Sequence, residues 1–479
     1  MPEISSFLNN VQLVVFVAMS AALAAMATGL WYERRQRMRN EKQVLDLKQE
    51  MLQHSHHDQL TGLPNRKFLL DVLPLRLKES NPFAFLYIKF PRAAEVRSSL
   101  GHDISDELTI AIVRRLKEVM DAQHFLARLS ASSFAILYPA DNPDMAMDKA
   151  QQIQRVLAKP YMLSGQEIQM ISAIGVRHTN GGGDAMNVLR DAEIAMQNVQ
   201  HKHIDAISVF ESSMRAQLEM RYELETDLRR ALYFETGQMK VAFQPIVSIK
   251  DEKLVGFEAL ARWQHPSKGF IPPDKFIHVA EETGMIVPLW NFILTESCRQ
   301  LAGWLPFMPD GLRPTIAVNL SATQLNSPGL YRSLENALEI TGLPPDLLKI
   351  EITESGLMLD YDVTGPLLEK IRTLGCSISI DDFGTGYSSL SYLLRLPVND
   401  IKVDRSFIKV MHDTPINREL VRAIIDMGHL LHKKVVAEGV ETAEDLTALR
   451  AMGCDHAQGY FFCKPMFAAQ VPEYLQKFN

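Results

Sequence analysis

From residue 240 onward the chain alternates short apolar runs with apolar helical patterns. No other feature constrains the fold as much. VAFQPIVSI and LVGFEALARW read as a strand pair across a turn at KDEK. Six further runs follow: TIAVNLSA (315–322), LLKIEITES (347–355), SISIDDFGTG (377–386), DIKVDRSF (400–407), KVVAEGVE (434–441) and CDHAQGYFF (454–462). Helical segments such as PLLEKIRTLG and RELVRAIIDMGHLLH separate them. Eight strands, most in strand–helix units, predict an α/β class and a TIM-like (β/α) barrel over residues 237–479. A doubly wound open sheet is the alternative.

Each run starts apolar and carries an ionisable or amide group at or near its C-terminal end. The set is Glu258, Asn319, Glu351, Asp381 with Asp382, Lys402 with Asp404, Glu438 and Gln458. In a barrel those ends converge on one face, where active sites lie. So many carboxylates together repel one another unless cations neutralise them. Oxygen ligands of this kind suit Mg²⁺ or Mn²⁺. A carboxylate-lined pair of ions is an arrangement used for phosphodiester hydrolysis.

The remaining sequence organises around this half. A length of 479 residues suggests two or three domains. A hydrophobic content of 47% with 22% charged residues excludes a mostly disordered chain. Lys and Arg total 50 against 57 Asp and Glu, so no global basic excess invites a nucleic-acid polymer. Cys298, Cys376, Cys454 and Cys463 form neither a CxxC nor a ligand cluster and read as reduced thiols. Residues 11–31 are uncharged and long enough to span hydrocarbon, with Trp31 and Tyr32 at the interface. Arg34, Arg35, Arg37 and Arg39 follow at once. The positive-inside rule then predicts one transmembrane helix with everything after it in the cytoplasm. Met38, Leu45 and Leu52 recur every seven residues and predict a juxtamembrane coiled coil over 34–54. Residues 55–215 mix strands (83–90, the hairpin 127–139, and 170–178) with helices, giving an α/β or α+β domain. A charged amphipathic helix over 216–236 links it to the barrel. His54, His56 and His57 read as a solvated helix end, and Gly181–Gly183 as a loop without P-loop context.

The second half resembles the EAL domains of bacterial cyclic di-GMP phosphodiesterases. FEALARW carries Glu258-Ala259-Leu260, and FQPIV, VNLS, EITES, DDFGTGYSSL, KVDRSF, AEGVE and QGYFF follow in the family's order. The resemblance implies roles position by position. Glu258, Asn319, Glu351 and Asp381 match the residues that hold a first metal, and Asp382 helps hold a second. Lys402 matches the lysine that orients the attacking water, and Glu438 the general base. Gln458 matches a residue beside the metal-bound water and phosphate. Glu354 matches the glutamate that braces the DDFGTGYSSL loop. Gln244, Leu260, Arg262 and Asp404 match ligand-contacting positions. The implied activity is hydrolysis of cyclic di-GMP to linear pGpG with two Mg²⁺ or Mn²⁺ ions.

Residues 55–215 resemble a GGDEF diguanylate cyclase domain through DQLTGLPNR, SLGHDISD and LRDAEIAM. Its catalytic signature is replaced by Ser130-Ala131-Ser132-Ser133-Phe134. Lys89 stands at the metal-binding aspartate and Arg97 at the nucleotide-contacting asparagine. Asp121-Ala122-Gln123-His124 replaces the RxxD inhibitory site. The resemblance therefore implies a degenerate GGDEF-like domain serving dimerisation or control. The whole reading is an enzyme of the bacterial inner membrane, single-pass and homodimeric, with cytoplasmic catalytic domains and room for an unidentified protein partner. The alternatives are a non-catalytic cyclic di-GMP receptor and a regulatory scaffold.

Overall fold

The computed structural model describes residues 17–39 apart from 24 and 27, residue 42, and 55–476. Within the last range, positions 80, 122, 201–205, 235–236, 310, 328, 358–360 and 386–392 are excepted. The chain divides into two compact units, Met1–Glu219 and Met220–Asn479. Residues 17–39 are helical wherever described. No helix among the described residues is long and apolar enough to cross a membrane. Residues 11–16, 24 and 27 of the expected span lie outside the described set, as does most of the expected coil at 34–54.

The first unit is built on β1 (Phe83–Lys89), β2 (Phe125–Ser130), β3 (Ser133–Pro139), β6 (Ala173–Thr179) and β7 (Ala206–Val209). Their order is β2-β3-β1-β6-β7, with a separate hairpin of β4 (Tyr161–Leu163) and β5 (Gln166–Ile168). β1 runs antiparallel to both of its neighbours. Successive β1 residues point to opposite faces. Ala84, Leu86 and Ile88 pack with Leu108 and Ile112, while Phe83 and Phe85 pack with Leu69, Leu73 and Leu189. Burial on both faces explains why β1 reads as a continuous apolar run rather than an alternating one. Gly175 on β6 lets the helix Ala185–Gln200 lie against the strand, since a Cβ there would stand 1.9 Å from the Ala192 carbonyl oxygen.

The linking helix runs Ser212–Tyr233, beginning and ending a few residues before its expected limits. The second unit contains β8 (Met239–Ser248), β9 (Leu254–His265), β10 (Gly269–Ile271) and β11 (Thr315–Leu320). β12 (Leu348–Thr353), β13 (Ser377–Phe383), β14 (Asp400–Val403), β15 (Lys434–Glu438), β16 (His456–Gln458) and β17 (Met466–Phe467) follow. Strands β9, β11, β12, β13, β14, β15, β16 and β8 form a ring that closes through β8–β9, so the open-sheet alternative falls. Each neighbouring pair from β9 to β16 is parallel. β8 departs from an all-parallel barrel and runs antiparallel to both neighbours. The turn between β8 and β9 is too short for the crossover that a parallel return needs.

Candidate active site and metal centre

Strand register places the polar residues side by side. Gln244 on β8 lies opposite Glu258 on β9. Asn319 on β11 faces Glu351 on β12, Thr353 faces Asp381 on β13, and Glu438 on β15 faces Gln458 on β16. Asp381, Lys402, Glu438 and Gln458 fall in the last few positions of their strands, as expected. Glu258 does not. It is the fifth residue of a twelve-residue strand, because β9 continues to His265 and pairs there with β10.

Lys402 is the hub of the cluster. It is 1% exposed, and its Nζ lies 2.6 Å from Glu438 Oε1, 2.9 Å from Glu351 Oε2, 3.1 Å from Asp381 Oδ1 and 3.5 Å from Glu258 Oε2. Burial alone would lower the pKa of Lys402. The surrounding carboxylates outweigh burial and raise it well above the ordinary lysine value. Glu258 is held by both oxygens: Asn319 Nδ2 donates to Oε1 at 2.7 Å and Gln458 Nε2 to Oε2 at 2.6 Å. Burial pushes Glu258 up, but Lys402 and these donors prevail and keep it below its usual value. Gln458 Nε2 also donates to Gln244 Oε1 at 3.0 Å, and Gln244 Nε2 donates to the Cys463 carbonyl at 3.2 Å.

The other carboxylates are pushed the opposite way. Burial, then repulsion from Glu258 and Asp381, holds Glu351 well above its ordinary value despite Lys402. Burial, with Asp381 and Glu258 nearby, raises Glu438 to about 8. Asp382 is raised by burial and by its neighbours Asp381 and Asp404. It also sits in left-handed backbone at φ 55°, where β13 breaks register with β14. That conformation is costly for a residue with a Cβ and is of the kind found at functional sites.

Two overlapping triads have ligand oxygens close enough to share an ion: Glu258, Glu351 and Asp381, and Asp381, Asp382 and Glu438. The structure itself tests the fit. Glu351 is 1% exposed, yet its Oε1 has no hydrogen-bond partner. A buried carboxylate oxygen left unmatched is costly, and a divalent cation would satisfy it. The donor set is all oxygen, which fits Mg²⁺ or Mn²⁺.

The remaining expected residues lie around this cluster. Glu354 is buried and accepts from the Gly384 amide at 2.8 Å, fixing the start of the loop whose residues 386–392 are outside the described set. Leu260 and Arg262 follow Glu258 on β9, with Arg262 half-buried. Asp404 follows β14 and caps the next helix, its Oδ1 accepting from the Ser406 amide at 3.0 Å. Sequence reading passed over Lys349 and Asp400. They form a buried ion pair two residues before Glu351 and Lys402 on the same strands. The only signal was their spacing from those residues.

The family described as "EAL domain" matches residues 225–465, and that described as "Diguanylate cyclase, GGDEF domain" matches residues 55–205. The chain belongs to the EAL domain family and carries a GGDEF domain before it. It is 38% identical over 88% of its length to the bifunctional diguanylate cyclase/cyclic di-GMP phosphodiesterase MucR of Pseudomonas aeruginosa, covering 62% of that protein. It is 34% identical over 96% of its length to the cyclic di-GMP phosphodiesterase NbdA of the same organism, covering 60% of that protein. The chain thus spans about three-fifths of these curated relatives. A solved structure of the PaMucR phosphodiesterase in complex with c-di-GMP is 43% identical. It covers 52% of this chain and 99% of its own, with a TM-score of 0.50.

Proposed function

We propose that this EAL domain hydrolyses cyclic di-GMP to linear pGpG with two divalent cations. The observation that carries the reading is the set of carboxylates converging on Lys402 with one buried oxygen of Glu351 unmatched. A non-catalytic receptor would have no need of so costly an arrangement. The names of the similar Pseudomonas aeruginosa proteins support the same substrate.

Glu258, Asn319, Glu351 and Asp381 would hold one ion, and Asp381 with Asp382 the other. When bound, such ions make water a stronger acid and offset charge on the phosphate. Glu438 would take the proton from that water as general base, once the cations have displaced the proton it holds in the metal-free site. Lys402 holds Glu438 in place at 2.6 Å and balances the site when a cation is lost. Asn319 and Gln458 fix the orientation of Glu258. Leu260, Arg262, Asp404 and Gln244 would border the dinucleotide. The GGDEF domain is read as catalytically inactive because SASSF replaces its signature.

Residues 11–31 are read as a single inner-membrane anchor, with both domains cytoplasmic and the chain paired as a homodimer. The test of activity is to supply the full chain with cyclic di-GMP and Mn²⁺ and separate the products. Formation of pGpG that EDTA and Glu258→Ala both abolish supports the reading. Tight binding without turnover would favour the receptor. Recovery of the full chain in the soluble fraction would refute the anchor without touching the chemistry.

A further inference from the structure

Two ion pairs bridge the same two strands, one above the other. In the upper layer Lys402 of β14 reaches across β13 to Glu351 of β12 at 2.9 Å. In the lower layer Lys349 of β12 reaches across β13 to Asp400 of β14. The signs alternate, so Lys349 lies beneath Glu351 and Asp400 beneath Lys402. All four are buried, at 7% for Lys349, 5% for Asp400 and 1% each for Glu351 and Lys402. Barrel interiors are ordinarily filled with branched apolar side chains, so a second buried pair here calls for a reason. It is weak evidence for stability, since its desolvation offsets most of the attraction.

Residues two apart on a strand lie about 6.6 Å apart on one face. The four-carbon stem of a lysine spans that distance. Lys349 is therefore within reach of Glu351, whose Oε1 is buried without a hydrogen-bond partner. An ammonium on that oxygen would occupy the place a divalent cation needs. Asp400 is the group that draws Lys349 away, since its Oδ2 accepts from Nζ.

We propose that Asp400 is a positioning residue for the metal site: it sequesters Lys349 and so keeps Glu351 available to a divalent cation. This rests on the reading of Glu351 as a metal ligand. The lower pair contributes no ligand itself, so removing both charges together leaves the metal carboxylates uncontested. Removing Asp400 alone releases a competing cation among them.

The test is Mn²⁺ binding by the full chain, followed by calorimetric titration without substrate. Asp400→Asn should weaken Mn²⁺ binding by about tenfold to a hundredfold, the range seen when groups supporting metal ligands are lost. Lys349→Met with Asp400→Asn should return the affinity to within about threefold of the native chain, and it serves as the test by itself if Asp400→Asn does not fold. Native affinity in Asp400→Asn, or a double variant as weak as the single one, would overturn the proposal. A native chain that binds no Mn²⁺ would instead overturn the metal reading beneath it.

Discussion

Glu438 and Lys402 show how much of the chemistry depends on neighbours rather than on residue type. The raised pKa of Glu438 means that the metal-free site holds a proton at neutral pH. Its unfolded value is near the ordinary carboxylate range, so ionising it costs the folded state as pH rises from that range through about 8. Cations must displace that proton, and metal affinity should therefore rise with pH up to about 8 and then level. Titrations with Mn²⁺ in buffers of different ionisation enthalpy should show about one proton or more released at pH 7, and about one fewer in Glu438→Gln. An affinity flat from pH 6 to 9 would contradict this account of the site. Lys402→Met should have the opposite character. It leaves Glu351, Asp381 and Glu438 without a cation that lies within 3.1 Å of each. Breaking a buried ion pair from one side costs about 3–5 kcal/mol. Urea unfolding should register that loss, and saturating Mn²⁺ should recover part of it.

At the scale of strands and helices, close contacts and register decide what a substitution can do. Gly175 of β6 sits under the helix Ala185–Gln200, where a Cβ would also meet the Met196 amide nitrogen at 2.4 Å. Gly175→Ala should destabilise the first unit by about 1–3 kcal/mol through overpacking, measured as a lower denaturation midpoint. The β2–β3 turn is governed by register instead. Ser133 on β3 pairs with Lys89 on β1, so a glutamate restored at 133 would face an ammonium rather than a carboxylate. Restoring Ser132→Asp and Ser133→Glu should therefore yield no cyclic di-GMP from GTP. Any synthesis detected by chromatography would show that Lys89 does not stand in for the missing aspartate. Strand types and order were readable here because apolar runs of four to eight residues between turn signals are a local property. Their ends were less so. Glu258 lies mid-strand because β9 continues past it, paired with β8 as far as Trp263 and with β10 over the last residues to His265, a partner that no local pattern announces.

The whole molecule is two compact units with separate cores. Cations that bind only the carboxylate cluster should stabilise only the unit that contains it. Calorimetry should resolve two transitions, one of which rises with Mn²⁺ while the other stays fixed. At a hundred times the dissociation constant the gain should be about 2.7 kcal/mol. A single transition moving as a whole would show that the units unfold together. Sequence alone determined the strand–helix alternation, the identity of the acidic residues and their place on the apolar runs. Those are facts of spacing, and spacing is local. Only tertiary structure decided that β8 also pairs with β16 to close the ring, and that four carboxylates share one lysine. It also set Lys349 against Asp400 rather than Glu351. Each of these depends on which strands become neighbours across tens or hundreds of residues, and charge acts through distance in space, not along the chain.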